Sequence, residues 1–250
     1  MSASAFTDDS PFCSNVMNTP LNLHALSADY LTRLLAEAAR YAVLERLMPI
    51  LRHDVAGAMQ APRMMLMVMQ KRLQAPEPDL QAIAQNVATV GTLTQQATLS
   101  CMAALAWMAP SEDVNIDLRS SVDKAAAWLA MELSGNSLVL VNGIEDEAVT
   151  APQTFFRSIF LGALLAFCDQ HAGGGNLQVT YEPAAAASGQ FGQLQLRLLA
   201  DATGKLPVVQ DLAPKLRLID WSDVQVMAQS SGVHMARGDG WLTLQLPAAL

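Results

Sequence analysis

The sequence predicts an α+β protein, a long helical hairpin followed by a two-layer α/β sandwich. Three observations predict it. Up to about residue 108 the apolar residues recur at three-and-four spacing. Beyond Pro110 the pattern becomes short alternating runs interleaved with helical ones. The 250 residues are 52% apolar and only 15% charged, the composition of a chain with a large core rather than a disordered one.

Residues 1–27 mix Ser, Thr, Asp, Asn and Pro with little periodicity and are expected to be a flexible leader. From Ser27 the helical stripe runs through Leu31, Leu34, Leu35, Ala38, Leu44, Leu47, Leu51, Val55, Ala58, Pro62, Leu66, Met69 and Leu73. Pro76 and Pro78 in the segment 74–79 break it, with Asp79 placed to cap the next helix. That second helix, 80–108, carries its stripe at Ile83, Val87, Val90, Ala97, Cys101, Leu105 and Met108. A hairpin over 28–109 with one apolar seam does not hide that seam alone. Pairing with a second copy into a four-helix bundle is the simplest solution. The plainer one is a core hairpin packed on the rest of its own chain.

The second block, 112–250, alternates strands and helices. Val114–Leu118 alternates as a strand, 121–133 as an amphipathic helix, and 137–141 as a strand. A helix from Pro152 to His171 leads through Gly173, Gly174 and Gly175 into the strand 177–181. The run 184–192 is a turn, 193–199 a strand, 220–231 a helix and 241–246 a closing strand. Helices segregated on one face of a mixed sheet make the sandwich.

Several function classes are disfavoured. A net charge of −8 opposes broad contact with a phosphate backbone, so nucleic acid is not an expected partner. Cys13, Cys101 and Cys168 are odd in number and scattered, which predicts reduced thiols in a cytoplasmic protein and no zinc site. Asp8 and Asp9 stand where a signal peptide would begin its apolar run, and the apolar run 159–168 is too short to span a bilayer. His24, His171 and His234 lack neighbours at metal-ligand spacing. The Met cluster at 64, 65, 67 and 69 reads either as core filler or as an adaptable docking surface.

The remaining candidate for chemistry is His53. Leu51 and Val55 belong to the apolar stripe, so His53 between them turns outward. Gly57, one turn on, leaves the ring approachable, and Pro49 removes one backbone donor one turn before it. Asp54 is the next residue, placed to accept a hydrogen bond or proton. An imidazole is largely neutral near pH 7 and then offers a free nucleophilic nitrogen. An exposed His-Asp pair on a helix is otherwise an ordinary piece of surface.

The segment Leu51-Arg52-His53-Asp54-Val55-Ala56-Gly57 resembles the phospho-accepting box of sensor histidine kinases, on the first helix of a dimerising hairpin. The second block resembles the ATP-binding domain of those kinases, of the Bergerat type, so that the likeness covers about 28–250. Residues 152–181 resemble its nucleotide helix and following strand, and 196–201 the strand that ends in an adenine-reading Asp, here Asp201. Residues 220–247 resemble its last helix, a glycine turn at Gly232 and the terminal strand.

The motifs within that likeness are eroded. The family's Mg-binding Asn falls on Ala166 and the Asn one turn earlier on Gly162, and an Ala side chain has no oxygen for a hard cation. Two expected glycines fall on Thr203 and Lys205. The phosphate loop falls on 216–220, which has no glycine and ends in Asp220. The resemblance therefore implies a degenerate kinase core with no nucleotide or metal of its own.

Its expected function is histidine phosphotransfer in a two-component phosphorelay, without ATP. On this expectation the partners are a second copy, response-regulator receiver domains and an upstream hybrid histidine kinase, and the receiver brings the Mg ion. His53 is the phosphoacceptor and Asp54 the orienting base, while Arg52, Gly57 and Gln60 dock the receiver. The absence of Thr or Asn at Gly57 argues against phosphatase activity. A non-catalytic pseudokinase dimer that sequesters a regulator or a kinase is the alternative, and weak ATP use through an unusual pocket is a third.

Overall fold

The computed structural model describes residues 27–108, 114–145, 149–170, 174–183, 192–199 and 217–246. The expected leader lies outside these up to residue 26, as do His171, Asp201, Thr203, Lys205 and Leu216. Helix α1 (Ala28–Leu73) starts at Ser27, whose hydroxyl accepts the Tyr30 N–H at 3.2 Å. Asp29 in the first turn and Lys71 and Arg72 in the last suit the helix dipole. The helix runs unbroken through both Pro49 and Pro62, since each proline removes one donor from a long ladder that otherwise holds. Asp79 accepts the Ala82 N–H at 2.9 Å and begins α2 (Leu80–Met108), which folds back on α1 to complete the hairpin.

The expected seam of α1 is corrected in its first half. Leu34, Leu35 and Ala38 are exposed there, as are Leu66 and Leu73 further on. Leu47 is buried as expected, and the other buried residues there are Ala36, Ala39, Ala42, Val43 and Arg46. Ala39, Ala42, Val43 and Leu47 belong to the same core as the sandwich, so this half of α1 is a core helix of its own chain. Small side chains win the inward face because they let two helices approach closely. Leu51, Pro62, Ile83, Ala97 and Ala104 are the buried apolar positions of the hairpin proper.

Five strands, β2 (Leu138–Asn142), β4 (Gly175–Glu182), β5 (Gln193–Leu199), β6 (Met235–Gly238) and β7 (Trp241–Gln245), form one sheet in the order β2-β4-β5-β7-β6. The β2–β4 pair is parallel and the others antiparallel. Val179 lies opposite Leu196, and Leu196 opposite Leu242, so the alternating residues stack on one inner face. Val139, Arg197 and Trp241 stay exposed on the other. Two short strands, β1 (Asn115–Asp117) and β3 (Thr150–Pro152), pair separately. At Gly175, where φ is 137°, a Cβ would stand 2.6 Å from the Leu199 carbonyl oxygen, so only glycine fits this strand start.

The helices cover the inner face. The expected single helix 121–133 is two, α3 (Leu118–Trp128) and α4 (Ala130–Gly135). Asp117 caps α3, which begins three residues before the expected start, and accepts the Ser120 N–H at 2.7 Å. Fully buried Leu129 leaves helical geometry and re-aims the chain, so that it and Leu133 both reach the core. The expected helix from Pro152 comprises α5 (Gln153–Phe155), a π-helical stretch Phe156–Phe160 and α6 (Leu161–Gln170). Phe156 and Phe160 stack at 5.0 Å within it. Helix α7 (Trp221–Ser230) closes the layer, held at its start by a reciprocal Asp220–Asp223 capping box.

Candidate functional site around His53

His53 sits near the middle of α1, where the helix leaves the sandwich. Its side chain is 88% exposed and that of Asp54 is 52% exposed. The ring Nδ1 lies 3.5 Å from Asp54 Oδ1, an ion-pair distance when the ring is protonated and a long contact when it is not. Arg52 and Gln60 are also exposed. Nothing lies within 4 Å of where a Cβ on Gly57 would stand, so the approach on that side is open. The helix geometry puts His53, Gly57 and Gln60 on one face, with Arg52 and Asp54 flanking it. Such a site offers an accessible nitrogen, a neighbouring carboxylate and a flexible cation.

Down the hairpin, Met59, Pro62, Leu66, Met67, Thr94 and Ala97 line an open groove of about 440 Å³ between the two helices. Met64 and Met67 are well exposed, and Met65 and Met69 are half-buried. The Met cluster is therefore split between seam and surface.

The positions set against a nucleotide site lie differently. Ala166 is fully buried in α6. Gly162 is buried where a Cβ would stand 2.7 Å from Met227 Cε of α7 and 3.4 Å from Val43 Cγ2 of α1. Asp220 is the N-cap of α7, accepting the Asp223 N–H at 3.0 Å and the Ser222 hydroxyl at 2.5 Å. The Ser222 hydroxyl leads in holding the Asp220 carboxyl below its ordinary range. The chain thus uses this carboxylate to finish a helix. Arg217 pairs with Asp223 next to it. Among the described residues no group of three or more His, Cys, Asp or Glu side chains is arranged to hold a metal ion. No helix among them is long and apolar enough to cross a membrane.

A cluster that sequence reasoning misses stands just before His53. Arg46 is buried and reaches into the sandwich, donating to Glu132 of α4 at 2.8 Å and to Asp169 of α6 at 3.0 Å. Asp169 also accepts the Ile219 N–H at 2.8 Å, which ties in the segment before α7. Burial opposes the guanidinium charge, but the bonds it donates to Asp169 and Glu132 outweigh this and hold the pKa above its ordinary value. Arg40, further up the same helix, donates to Ser230 and Ser231 at the end of α7. The sequence does hold a signal for the cluster. Arg46 continues the stripe Ala36, Ala39, Val43 at helical spacing, and a charge within such a stripe asks for a buried partner.

No protein-family model matches the chain, and no curated protein does. Solved structures do. The histidine kinase AdeS of Acinetobacter baumannii is 14% identical, covering 74% of this chain and 95% of its own, with a TM-score of 0.41. A bacterial phosphotransferase solved at 1.7 Å is 16% identical, covering 89% and 98%, with a TM-score of 0.36. The histidine kinase ThkA in complex with the response regulator TrrA is 12% identical, covering 90% and 68%, with a TM-score of 0.37. Likeness this slight leaves function to be argued from the chain's own residues.

Proposed function

We propose that the chain is a histidine phosphotransferase of a two-component phosphorelay, in which His53 carries a phosphoryl group between receiver-domain aspartates. The observation that carries this reading is the openness of His53, with a carboxylate beside it and clear space at Gly57 one turn on. With Nδ1–H turned toward Asp54, Nε2 keeps its lone pair and is the nucleophile. It attacks the phosphorus of an aspartyl phosphate in line. The N–P bond forms as the P–O bond to the aspartate breaks, and the aspartate leaves as a carboxylate. The ring becomes cationic as it attacks, and Asp54 shares the Nδ1 proton. Transfer to the next receiver reverses these steps. Arg52 and Gln60 flank the reacting nitrogen for docking, and the receiver supplies the Mg ion.

Loss of ATP chemistry is part of the same proposal. It is supported by the fully buried Ala166, by the packing of Gly162 against Met227 and Val43, and by the use of Asp220 as a cap. A nucleotide would need this apolar packing undone. Homodimerisation is proposed through the hairpin, where Met64, Val87, Leu99 and Met102 remain exposed in one chain.

The test is phosphoryl transfer from receiver domains of the same genome, phosphorylated and supplied with Mg, to the wild type and to His53→Ala. Acid-labile, base-stable label on the wild type alone is the expected result. No label from any receiver, with one of them still bound, replaces this reading by that of a binding-only pseudokinase dimer.

A further inference from the structure

The stripe by which α1 packs on the sandwich does not stop at Arg46. Ile50 packs partly buried against the sandwich core. His53 lies about one turn beyond Ile50, or roughly 4.5 Å along the axis. Seven residues separate His53 from Arg46, so the two differ by only about 20° around the helix and ~10 Å along it. The sandwich thus stands on the face of α1 that presents His53, immediately to its N-terminal side. Arg46 clamps α4 at this level through the Glu132 carboxylate. Met131, beside Glu132 on α4, is 77% exposed.

A folded partner domain that delivers a phosphoryl group covers about 800 Å² of this chain, a patch of roughly 16 Å radius. Centred on His53, that patch reaches past Ile50 to the level of Arg46, where the sandwich already stands. We infer that the sandwich rim at α4, with Met131 exposed on it, forms one wall of the receiver-docking surface around His53. This rests on the phosphotransfer reading for the identity of the partner. The rim is pre-organised because the Arg46 cluster fixes α4 against α1, so docking orders no domain. The degenerate sandwich is thereby given work as a recognition element beside the histidine.

Met131→Glu tests it, with Leu199→Glu on the uncovered face of the sheet as the control. Receiver domains from the same genome, phosphorylated with acetyl phosphate, serve as probes in titration calorimetry and in transfer. Phosphoramidate, too small to touch the rim, labels His53 directly. Met131→Glu is expected to weaken receiver binding and slow receiver-driven transfer about tenfold, with labelling by phosphoramidate and the melting temperature unchanged. Leu199→Glu is expected to change none of these. Binding by Met131→Glu within twofold of wild type overturns the proposal. Weakened binding with no label from either donor upholds the rim and removes the relay, and a wild type that binds no receiver overturns both.

Discussion

Arg46 Nη1 lies 3.0 Å from Asp169 Oδ2 although 123 residues separate the two in sequence. Both side chains are nearly inaccessible, and Glu132 adds a second carboxylate to the same guanidinium from a third helix. This triad fastens the stem to the sandwich. Removing Arg46 leaves Asp169 buried and Glu132 partly buried, both without their cation. Arg46→Ala is therefore expected to destabilise the fold by about 3–5 kcal/mol in urea unfolding. Arg46→Met paired with Asp169→Asn is expected to recover part of that loss. Equal losses in the single and double variants would show that packing rather than charge dominates.

Gly162 sets a second expectation. Its neighbours Met227 and Val43 are apolar, so an amide introduced there finds no acceptor among them. Gly162→Asn is expected to destabilise by about 1–3 kcal/mol and to gain no ATP binding at millimolar concentration. Calorimetry with MgATP on this variant and on Ala166→Asn checks it, and a measurable affinity in either would mean that the nucleotide cleft is intact.

Acid stability depends on the helix caps. The Ser120 side-chain and backbone bonds hold Asp117 below its ordinary range, and the Ser222 hydroxyl leads in doing so for Asp220. A carboxyl depressed in the folded state contributes stability that is present above its unfolded pKa. That contribution disappears as the pH falls through the still lower folded value. Stability is thus expected to decline below about pH 4. Asp220→Ala is expected to lose about 1 kcal/mol at neutral pH and to show a shallower decline in acid. Urea midpoints measured from pH 7 to 3 decide it.

Cys168 is expected to be chemically silent. Burial pushes its thiol up to about 12, with the Glu132 and Asp169 charges adding to that, so the thiolate is scarce at pH 7. Cys101 on α2 is partly exposed. Site-resolved mass spectrometry after brief alkylation is expected to find Cys101 modified and Cys168 modified only in denaturant. Rapid labelling of native Cys168 would reveal an opening of the α1–α6 contact.

Sequence predicts structure well here wherever a single period governs one surface. Residues 193–198 alternate strictly, and β5 spans them and Leu199. The hairpin breaker at Pro76 and Pro78 and the outward turn of His53 are legible for the same reason. The failures arise where two surfaces compete for one element. Leu34 and Leu35 advertise a seam, yet the alanines beside them are buried because α1 must come close to α6 and α7. Strand β6, Met235–Gly238, is a sheet edge with almost no buried side chain, so it carries no alternation to read. Arg46 sits in a small-residue stripe that asks for a buried partner, but its partners lie in distant parts of the chain that spacing alone does not identify.

Helix α1 belongs to both halves of the molecule, and that bears on how the chain can be divided. Ala39, Ala42, Val43 and Leu47 contribute to a core whose remaining members lie beyond residue 117. A fragment of 112–250, cut at the apparent boundary, would expose the apolar flank of α6 and α7 and leave Asp169 and Glu132 without their cation. It is expected to aggregate on expression, whereas a fragment restored with 28–52 in trans should dissolve and refold. The sandwich is thus completed by the stem that it serves, and mutational damage in either half will register as loss of the whole.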